Sequence, residues 1–350
     1  MNRHKVYMQR CLQLATLGIG NTYPNPSVGC VIVHENKIIG EGFTSEYGGS
    51  HAEVNAINSV KNKTLLKQAT LYVTLEPCSH FGKTPPCSDL IIKHQIPKVF
   101  IGTIDLHQKV AGRGVERLRA AGCDVHVGCL EDECKAQHRR FLTFHNKKRP
   151  YIVLKWAQSA DGFIAPSDEQ RNEVAPVWIT NIRSRQLVHR WRAEEHAILV
   201  GTNTVLKDNP SLTTRDWSGS SPIRIVIDKK NKLPKNATVF DGKVKTIVIT
   251  DSKSEQYSNK SLIYEPINFE AAIPEQICEI LVKNDILSVI IEGGSKTLQS
   301  FIAIGLWDEA RIFKGSTKLN YGIKAPEIEG NIISEKKVLS DSLIIINRSN

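Results

Sequence analysis

At 350 residues, 41% of them hydrophobic, the chain exceeds what one ordinary core supports and has material for two. Its formal charge of +10 admits nucleic acid, a membrane surface or anionic small molecules, but the basic residues are dispersed and clusters such as His145-Asn146-Lys147-Lys148-Arg149 read as solvated linker, which favours phosphorylated substrates. No apolar run reaches the roughly 18 residues of a membrane span, and eight cysteines, seven before residue 135, suit metal or thiol chemistry in a reducing compartment, so a cytoplasmic protein with no membrane partner is expected.

The chain opens with Tyr7, Met8, Cys11, Leu12 and Ala15 at helical spacing, which predicts a docked amphipathic helix and not a signal peptide. Val28–Val33 and Lys37–Phe43 flank His34-Glu35-Asn36 as a hairpin, His51–Val60 reads as a helix and Ala69–Leu75 as a buried strand. Ser88–His94 is predicted helical, Lys98–Thr103 extended, Gly114–Ala121 helical, Cys123–Val127 extended and Leu130–His145 a final amphipathic helix, completing an α/β/α sandwich over residues 1–146. A linker at 147–150 leads to a second α/β series over 151–350. Its elements are strand Tyr151–Trp156, helix Arg183–Arg192, strands His196–Val200, Ile223–Asp228 and Thr246–Thr250, helix Pro274–Lys283, strand Ser288–Glu292, and Leu343–Asn347 closing a sheet.

The strongest chemical signal is His51-Ala52-Glu53 at a predicted helix start, followed by Glu76-Pro77-Cys78 and Cys87. One imidazole and two thiolates give Zn2+ three protein ligands and leave the fourth tetrahedral position to water, whose pKa zinc lowers to about 7. Glu53 is then the acid–base that carries the proton to a departing amine. This is the nucleobase-deaminase pattern H-x-E with P-C-x-x-C, except that eight residues, not two, separate the cysteines. The intervening Ser79-His80-Phe81-Gly82-Lys83-Thr84-Pro85-Pro86 places a cation and a histidine beside the metal, a loop able to hold phosphate. Singly, a His-x-Glu or a cysteine pair is usually packing; here four chemical roles occur in order on suitable elements. Cys123, Cys129 and Cys134 around His126 lack a Cys-x-x-Cys pair and read as packing, as do Cys11 and Cys30.

This stretch, with Thr74-Leu75-Glu76 before it, Pro24-Asn25-Pro26-Ser27-Val28-Gly29-Cys30-Val31-Ile32-Val33 and Val110-Ala111-Gly112-Arg113-Gly114, resembles the riboflavin-pathway deaminase family, with its cytidine-deaminase-like fold. The resemblance implies hydrolysis of the 2-amino group of 2,5-diamino-6-ribosylamino-4(3H)-pyrimidinone 5′-phosphate, with Asn25 reading the ring and His80 and Lys83 meeting the phosphate. In the second half, Lys155-Trp156-Ala157-Gln158-Ser159-Ala160-Asp161-Gly162, Trp178-Ile179-Thr180, Arg192-Ala193-Glu194 and above all Thr202–Arg215 resemble the pyrimidine reductase partner of the same pathway, which has a dihydrofolate-reductase-like fold.

Ile290-Ile291-Glu292-Gly293-Gly294-Ser295 is a strand ending in glycines and opening a helix, where backbone amides can approach an anion. It lacks the G-x-G-x-x-G fingerprint, and by itself reads equally as a tight strand–helix turn. The reductase resemblance implies that Ala157, Trp178, Thr204, Asp208, Gly294 and Ser295 line an NADPH site, that Arg192, Leu212, Arg215 and Glu292 face the phosphoribosyl substrate, and that Lys155 touches both. The implied reaction is hydride transfer from NADPH to the ribosyl C1′, opening the sugar to a ribityl chain. Taken alone, Arg192 and Arg215 read as surface ion pairs and Asp208 as a turn cap.

The chain departs from the family pattern at Thr44 and Asn55, where histidine is usual, and at Asp105-Leu106-His107-Gln108; Phe163 replaces a basic residue, and the 166–177 and Lys314–Ile323 segments also differ. Two other functions compete. A nucleic-acid base deaminase requires basic stripes with stacking aromatics, which 7% aromatic content does not favour; a catalytically silent C-terminal module leaves the first half working alone. Phosphorylated pyrimidines as partners, no nucleic acid, and homo-oligomerisation are expected.

Overall fold

The structure is a computed structural model that describes residues 3–81, 85–105, 112–171, 173–251 and 260–349. The chain divides into two compact units, Met1–Lys148 and Arg149–Asn350.

The first unit begins with α1 (Arg3–Leu17), whose Met8, Cys11, Leu14 and Ala15 recur at helical spacing and are buried. Strands β1 (Gly29–His34), β2 (Lys37–Phe43), β3 (Thr70–Leu75), β4 (Lys98–Thr103) and β5 (Asp124–Val127) form one sheet in the order β2-β1-β3-β4-β5, antiparallel up to β3 and parallel beyond it. Side chains alternate across its pleat. Cys30, Ile32, Leu71, Val73, Val99 and Ile101 face α2 (Ala52–Ser59), α3 (Cys87–Lys93) and α4 (Arg113–Ala120). On the other face Val31, Val33, Tyr72 and Phe100 meet α1 and Cys134 of α5 (Glu131–Gln137), so both faces are covered. Each fully buried aliphatic side chain there contributes about 1.5–3 kcal/mol of transfer free energy.

The single helix expected over Leu130–His145 is two, α5 and α6 (Arg139–Lys147). They break at His138, which adopts φ −94 and ψ 9 and buries its imidazole with Nε2 3.0 Å from Thr74 Oγ1. Amphipathic spacing runs on through this point, so the pattern does not reveal the anchored residue.

The second unit comprises β6 (Tyr151–Gln158), β7 (Phe163–Ala165), α7 (Ile182–Glu194), β8 (Ala197–Gly201), α8 (Thr202–Asp208), β9 (Ile223–Ile227), β10 (Thr246–Thr250), β11 (Leu262–Pro266), α9 (Ile273–Lys283), β12 (Ser288–Ile291), α10 (Ser295–Ala303), β13 (Glu309–Lys314), β14 (Ile323–Lys324), β15 (Asn331–Val338) and β16 (Asp341–Asn347). Nine strands form a sheet ordered β11-β10-β9-β8-β12-β6-β13-β16-β15, with β7 and β14 a separate pair. Pairing is parallel from β11 to β13 and antiparallel from β13 to β15. One face packs Ile277 and Leu281 of α9 and Leu298 and Phe301 of α10, and the other packs Val188 and Trp191 of α7 and Val205 of α8. Near-continuous apolar strands such as Thr246–Thr250, buried at every residue, follow from cover on both faces. Sequence periodicity missed β7, α8, β11, β13, β14 and the exposed edge strand β15.

Candidate active sites

In the first unit the C-terminal end of β3 delivers Glu76-Pro77-Cys78 to a point where α2 and α3 both begin. His51 is the N-cap residue of α2, and Cys87 is the first residue of α3. The His51, Cys78 and Cys87 ligand atoms all lie within 4.8 Å of one another. His51 Nδ1 is 3.6 Å from Cys78 Sγ and 3.3 Å from Cys87 Sγ. A tetrahedral ion with bonds of about 2.05 Å to nitrogen and about 2.3 Å to sulfur holds such atoms about 3.5 Å apart, so the three residues fit zinc.

The α3 terminus also serves the candidate ligands directly, since the Cys87 N–H donates to Cys78 Sγ at 3.2 Å. Hydrogen bonds from Cys87, thiol and backbone, and from His51 hold the Cys78 thiol well below its ordinary value despite burial. Glu53 lies on the first turn of α2 and is 4% exposed. Burial, then the nearby Cys78 sulfur, push its carboxyl up to about 7. A carboxyl that changes protonation near neutrality is suited to move protons in both directions.

Glu76 is a residue whose role the sequence did not reveal. Its buried carboxylate accepts backbone N–H groups from Asp105 and Gly112 on Oε2, at 3.2 and 3.1 Å, and from Gly114 and Val115 on Oε1, at 2.8 and 3.2 Å. It thereby fixes the start of α4 against the Pro77-Cys78 turn. Gly114 is required there, because a Cβ would fall 2.2 Å from the Pro77 carbonyl oxygen. The signal was present in the Glu-Pro-Cys run, but its four partners are at least 29 residues away.

Asn25 is half-buried in the turn before β1 and His80 is exposed, while Lys83 lies outside the described residues, as do residues 106–111 of the Val110–Gly114 and Asp105–Gln108 segments. Thr44 and Asn55 have local partners: Thr44 Oγ1 accepts from Val28 N at 3.0 Å, and Asn55 Nδ2 donates to Phe43 O at 2.8 Å, tying α2 to the end of β2. Cys123 donates its thiol to Ile96 O and Cys134 to Cys129 O.

In the second unit a cavity of about 440 Å³ opens at the carboxyl ends of β6, β8 and β12, where ligands bind in open α/β sheets. It is lined by Lys155, Trp178, Arg192, Thr204, Asp208, Leu212, Arg215 and Glu292, all expected from sequence, and also by Arg185, His189 and Ser211. Arg185, His189 and Arg192 are spaced i, i+4 and i+7 on α7, a polar helical stripe that could have been read from the sequence. Ala157, Gly294 and Ser295 lie outside the lining. Ala157 packs into the core beside it, and the Gly294 N–H donates to Thr204 Oγ1 at 3.0 Å, joining the glycine turn at the start of α10 to α8. Gly293 permits this approach, since a Cβ would stand 2.5 Å from the Gly201 nitrogen.

Arg192 is no surface ion pair. Its Nη2 and Nε meet both Glu292 carboxylate oxygens, at 2.7 and 3.2 Å, with side chains only 12% and 9% exposed. Lys155 Nζ stands 3.8 Å from the same carboxylate. Burial opposes ionisation of Glu292, but Arg192 and Lys155 outweigh it and hold the carboxyl at about 2. Burial likewise lowers Lys155 against the opposing pull of Glu292. Asp208 is no turn cap; Arg171 Nη1 binds its carboxylate at 2.8 Å. Arg215 hydrogen-bonds the hydroxyls of Ser211 and Thr213, so its charge meets no carboxylate in those bonds. The cavity thus carries more cation than anion, which fits phosphorylated ligands.

Residues 1–103 match the family described as cytidine and deoxycytidylate deaminase zinc-binding region, and residues 150–319 match RibD C-terminal domain. Riboflavin biosynthesis protein RibD of Aquifex aeolicus is 40% identical over 97% of each chain. A crystal structure of a diaminohydroxyphosphoribosylaminopyrimidine deaminase/5-amino-6-(5-phosphoribosylamino)uracil reductase from Thermotoga maritima superposes with a TM-score of 0.89 at 37% identity, covering 99% of each chain. For Acinetobacter baumannii RibD the TM-score is 0.90 at 31% identity, with the same coverage.

Proposed function

The chain belongs to the RibD family, bifunctional deaminase/reductases of riboflavin biosynthesis that use zinc and NADPH, and we propose that it acts on two successive phosphorylated pyrimidines. Residues 1–146 would deaminate 2,5-diamino-6-ribosylamino-4(3H)-pyrimidinone 5′-phosphate, and residues 151–350 would reduce the ribosyl group of 5-amino-6-(5-phosphoribosylamino)uracil to ribityl. The observation that carries the first assignment is the approach of His51 Nδ1 to within 3.6 Å of both sulfurs, with buried Glu53 beside them.

His51, Cys78 and Cys87 would hold zinc, which when bound makes water nucleophilic at neutral pH. Glu53 takes a proton from the attacking water on its carboxylate and delivers it to the 2-amino nitrogen, which leaves as ammonia while oxygen takes its place on the ring. Burial of Glu53 keeps bulk water from competing for that proton. Asn25 orients the ring, and His80 and Lys83 receive the phosphate.

NADPH supplies the hydride in the second reaction. Trp178, Thr204 and Asp208 form its side of the cavity, and Ala157 and the Gly294-Ser295 turn, which lie outside the lining, complete the cofactor site from beside it. Leu212, Arg215 and the Arg192–Glu292 pair form the substrate side, where Arg215 meets the phosphate and Lys155 serves both ligands. The fixed pair keeps Arg192 oriented before substrate arrives, so little ordering remains for binding. A cavity with more cation than anion in its lining suits a small phosphorylated molecule better than a nucleic-acid strand.

The test is a two-signal assay, ammonia release and loss of NADPH absorbance, on wild type and Glu53→Gln. With the diaminopyrimidine the variant releases no ammonia and oxidises no NADPH, whereas with the deaminated substrate it oxidises NADPH at the wild-type rate. Ammonia release by Glu53→Gln rejects the proton-transfer assignment, and a wild type inert toward NADPH with the deaminated substrate reduces the second unit to a silent module.

A further inference from the structure

The loop from Asn209 to Arg215 carries two groups of the substrate side, Leu212 and Arg215, and has unusual backbone demands. Asn209 and Leu212 both hold positive φ, 37 and 54°, which side chains other than glycine adopt at a cost. Such a loop keeps its shape only when its surroundings impose it.

Two buried side chains do so. Arg224 on β9, wholly buried, donates from Nε to Ser211 O at 2.9 Å and from Nη1 to Val239 O and Asp241 Oδ1 at 3.1 and 2.7 Å. At the loop's other end His189, 2% exposed, accepts the backbone N–H of Arg215 on Nδ1 at 3.0 Å. That bond requires Nδ1 to carry no proton, and places any ring proton on Nε2, which stands 3.7 Å from Asp216 Oδ2. Burial, with Arg192 and Arg215 alongside, pushes the imidazole down to about 4, in agreement with a neutral acceptor.

We propose that His189 is a positioning residue of the reductase, a neutral acceptor that fixes the Arg215 backbone so that its guanidinium projects into the cavity to take the substrate phosphate. This rests on the substrate-side reading of Arg215 given above. It also explains why α7 presents Arg185, His189 and Arg192 on one stripe. Arg185 and Arg192 bring charge to the wall, and the member between them sets the place of a further arginine supplied by the loop.

The test is a double-mutant cycle in the full-length protein, with the deaminated ribosylaminouracil phosphate as substrate. Arg215→Ala is expected to raise its KM about a hundredfold, the loss of a charge-assisted phosphate contact. His189→Leu, which fills similar volume without an acceptor, should raise the same KM about tenfold, with kcat, the KM for NADPH and the deaminase rate near wild type. His189→Asn carries an acceptor close to where Nδ1 stood and should return KM to within about twofold. In the Arg215→Ala background His189→Leu should add nothing, because it acts through that arginine.

Multiplicative effects in the double variant, an unchanged KM in His189→Leu, or failure of asparagine to restore it would each overturn the positioning role while leaving Arg215 as the phosphate ligand. An unchanged KM in Arg215→Ala would remove the substrate-side reading and this proposal with it. Should His189→Leu not fold, His189→Met takes its place in the cycle.

Discussion

Glu292→Gln tests the electrostatic heart of the reductase cavity. The substitution keeps shape but removes the carboxylate that faces both Arg192 and Lys155, whose side chains are only 12% and 13% exposed. Holding the Glu292 carboxyl at about 2 instead of the ordinary 4.5 stabilises the folded unit by about 3 kcal/mol at neutral pH. That agrees with the roughly 3–5 kcal/mol lost when one member of a buried ion pair is removed.

The contribution is complete above the unfolded carboxyl's value and disappears as pH falls through the folded one. The gap between wild type and variant should therefore be full at pH 7, below about half at pH 3, and nearly closed by pH 2. All 5 tryptophans, at positions 156, 178, 191, 217 and 307, lie in the second unit, so tryptophan fluorescence in urea follows that unit alone. A fall in the urea midpoint of about 1–2 M at pH 7 is expected. Equal midpoints at pH 7, or a gap that persists unchanged at pH 3, would refute the argument that charge, not shape, is what Glu292 contributes.

Zinc removal by a chelator should abolish ammonia release while the deaminated substrate still drives NADPH oxidation and tryptophan fluorescence stays unchanged; loss of both activities together would contradict two separate sites. Gly114→Ala places a Cβ against the Pro77 carbonyl oxygen beside Cys78, so the purified variant should hold less zinc, measured by metal analysis, and deaminate at least tenfold more slowly. Arg192→Lys cannot make the two-pronged bond to Glu292 and should lower the urea midpoint and raise the KM of the deaminated substrate about tenfold, as steady-state kinetics would register.

The deaminase centre was legible because its parts are local. His51 and Glu53 are one helical turn of the same segment, Cys78 lies three residues beyond a buried strand, and Cys87 opens the next helix, so residue type, order and element together point to the chemistry. Alternating apolar periods likewise predicted most strands and helices of both units. Periodicity reports only which side of an element is buried, however, so it ran through the break at His138 and passed over β15, whose residues are largely exposed.

What tertiary structure alone decided are the partnerships between distant residues. Arg192 and Glu292 are 100 positions apart, Glu76 closes on amide groups from 29 to 39 positions away, and His189 meets Arg215 from another element. A sequence states that a charge or an imidazole exists, and its burial and partner are fixed only when β12 is inserted between β6 and β8 and α7 is laid across the sheet. The same residues left in water would be ordinary surface ions. Their functional values come from the low-dielectric surroundings that packing creates.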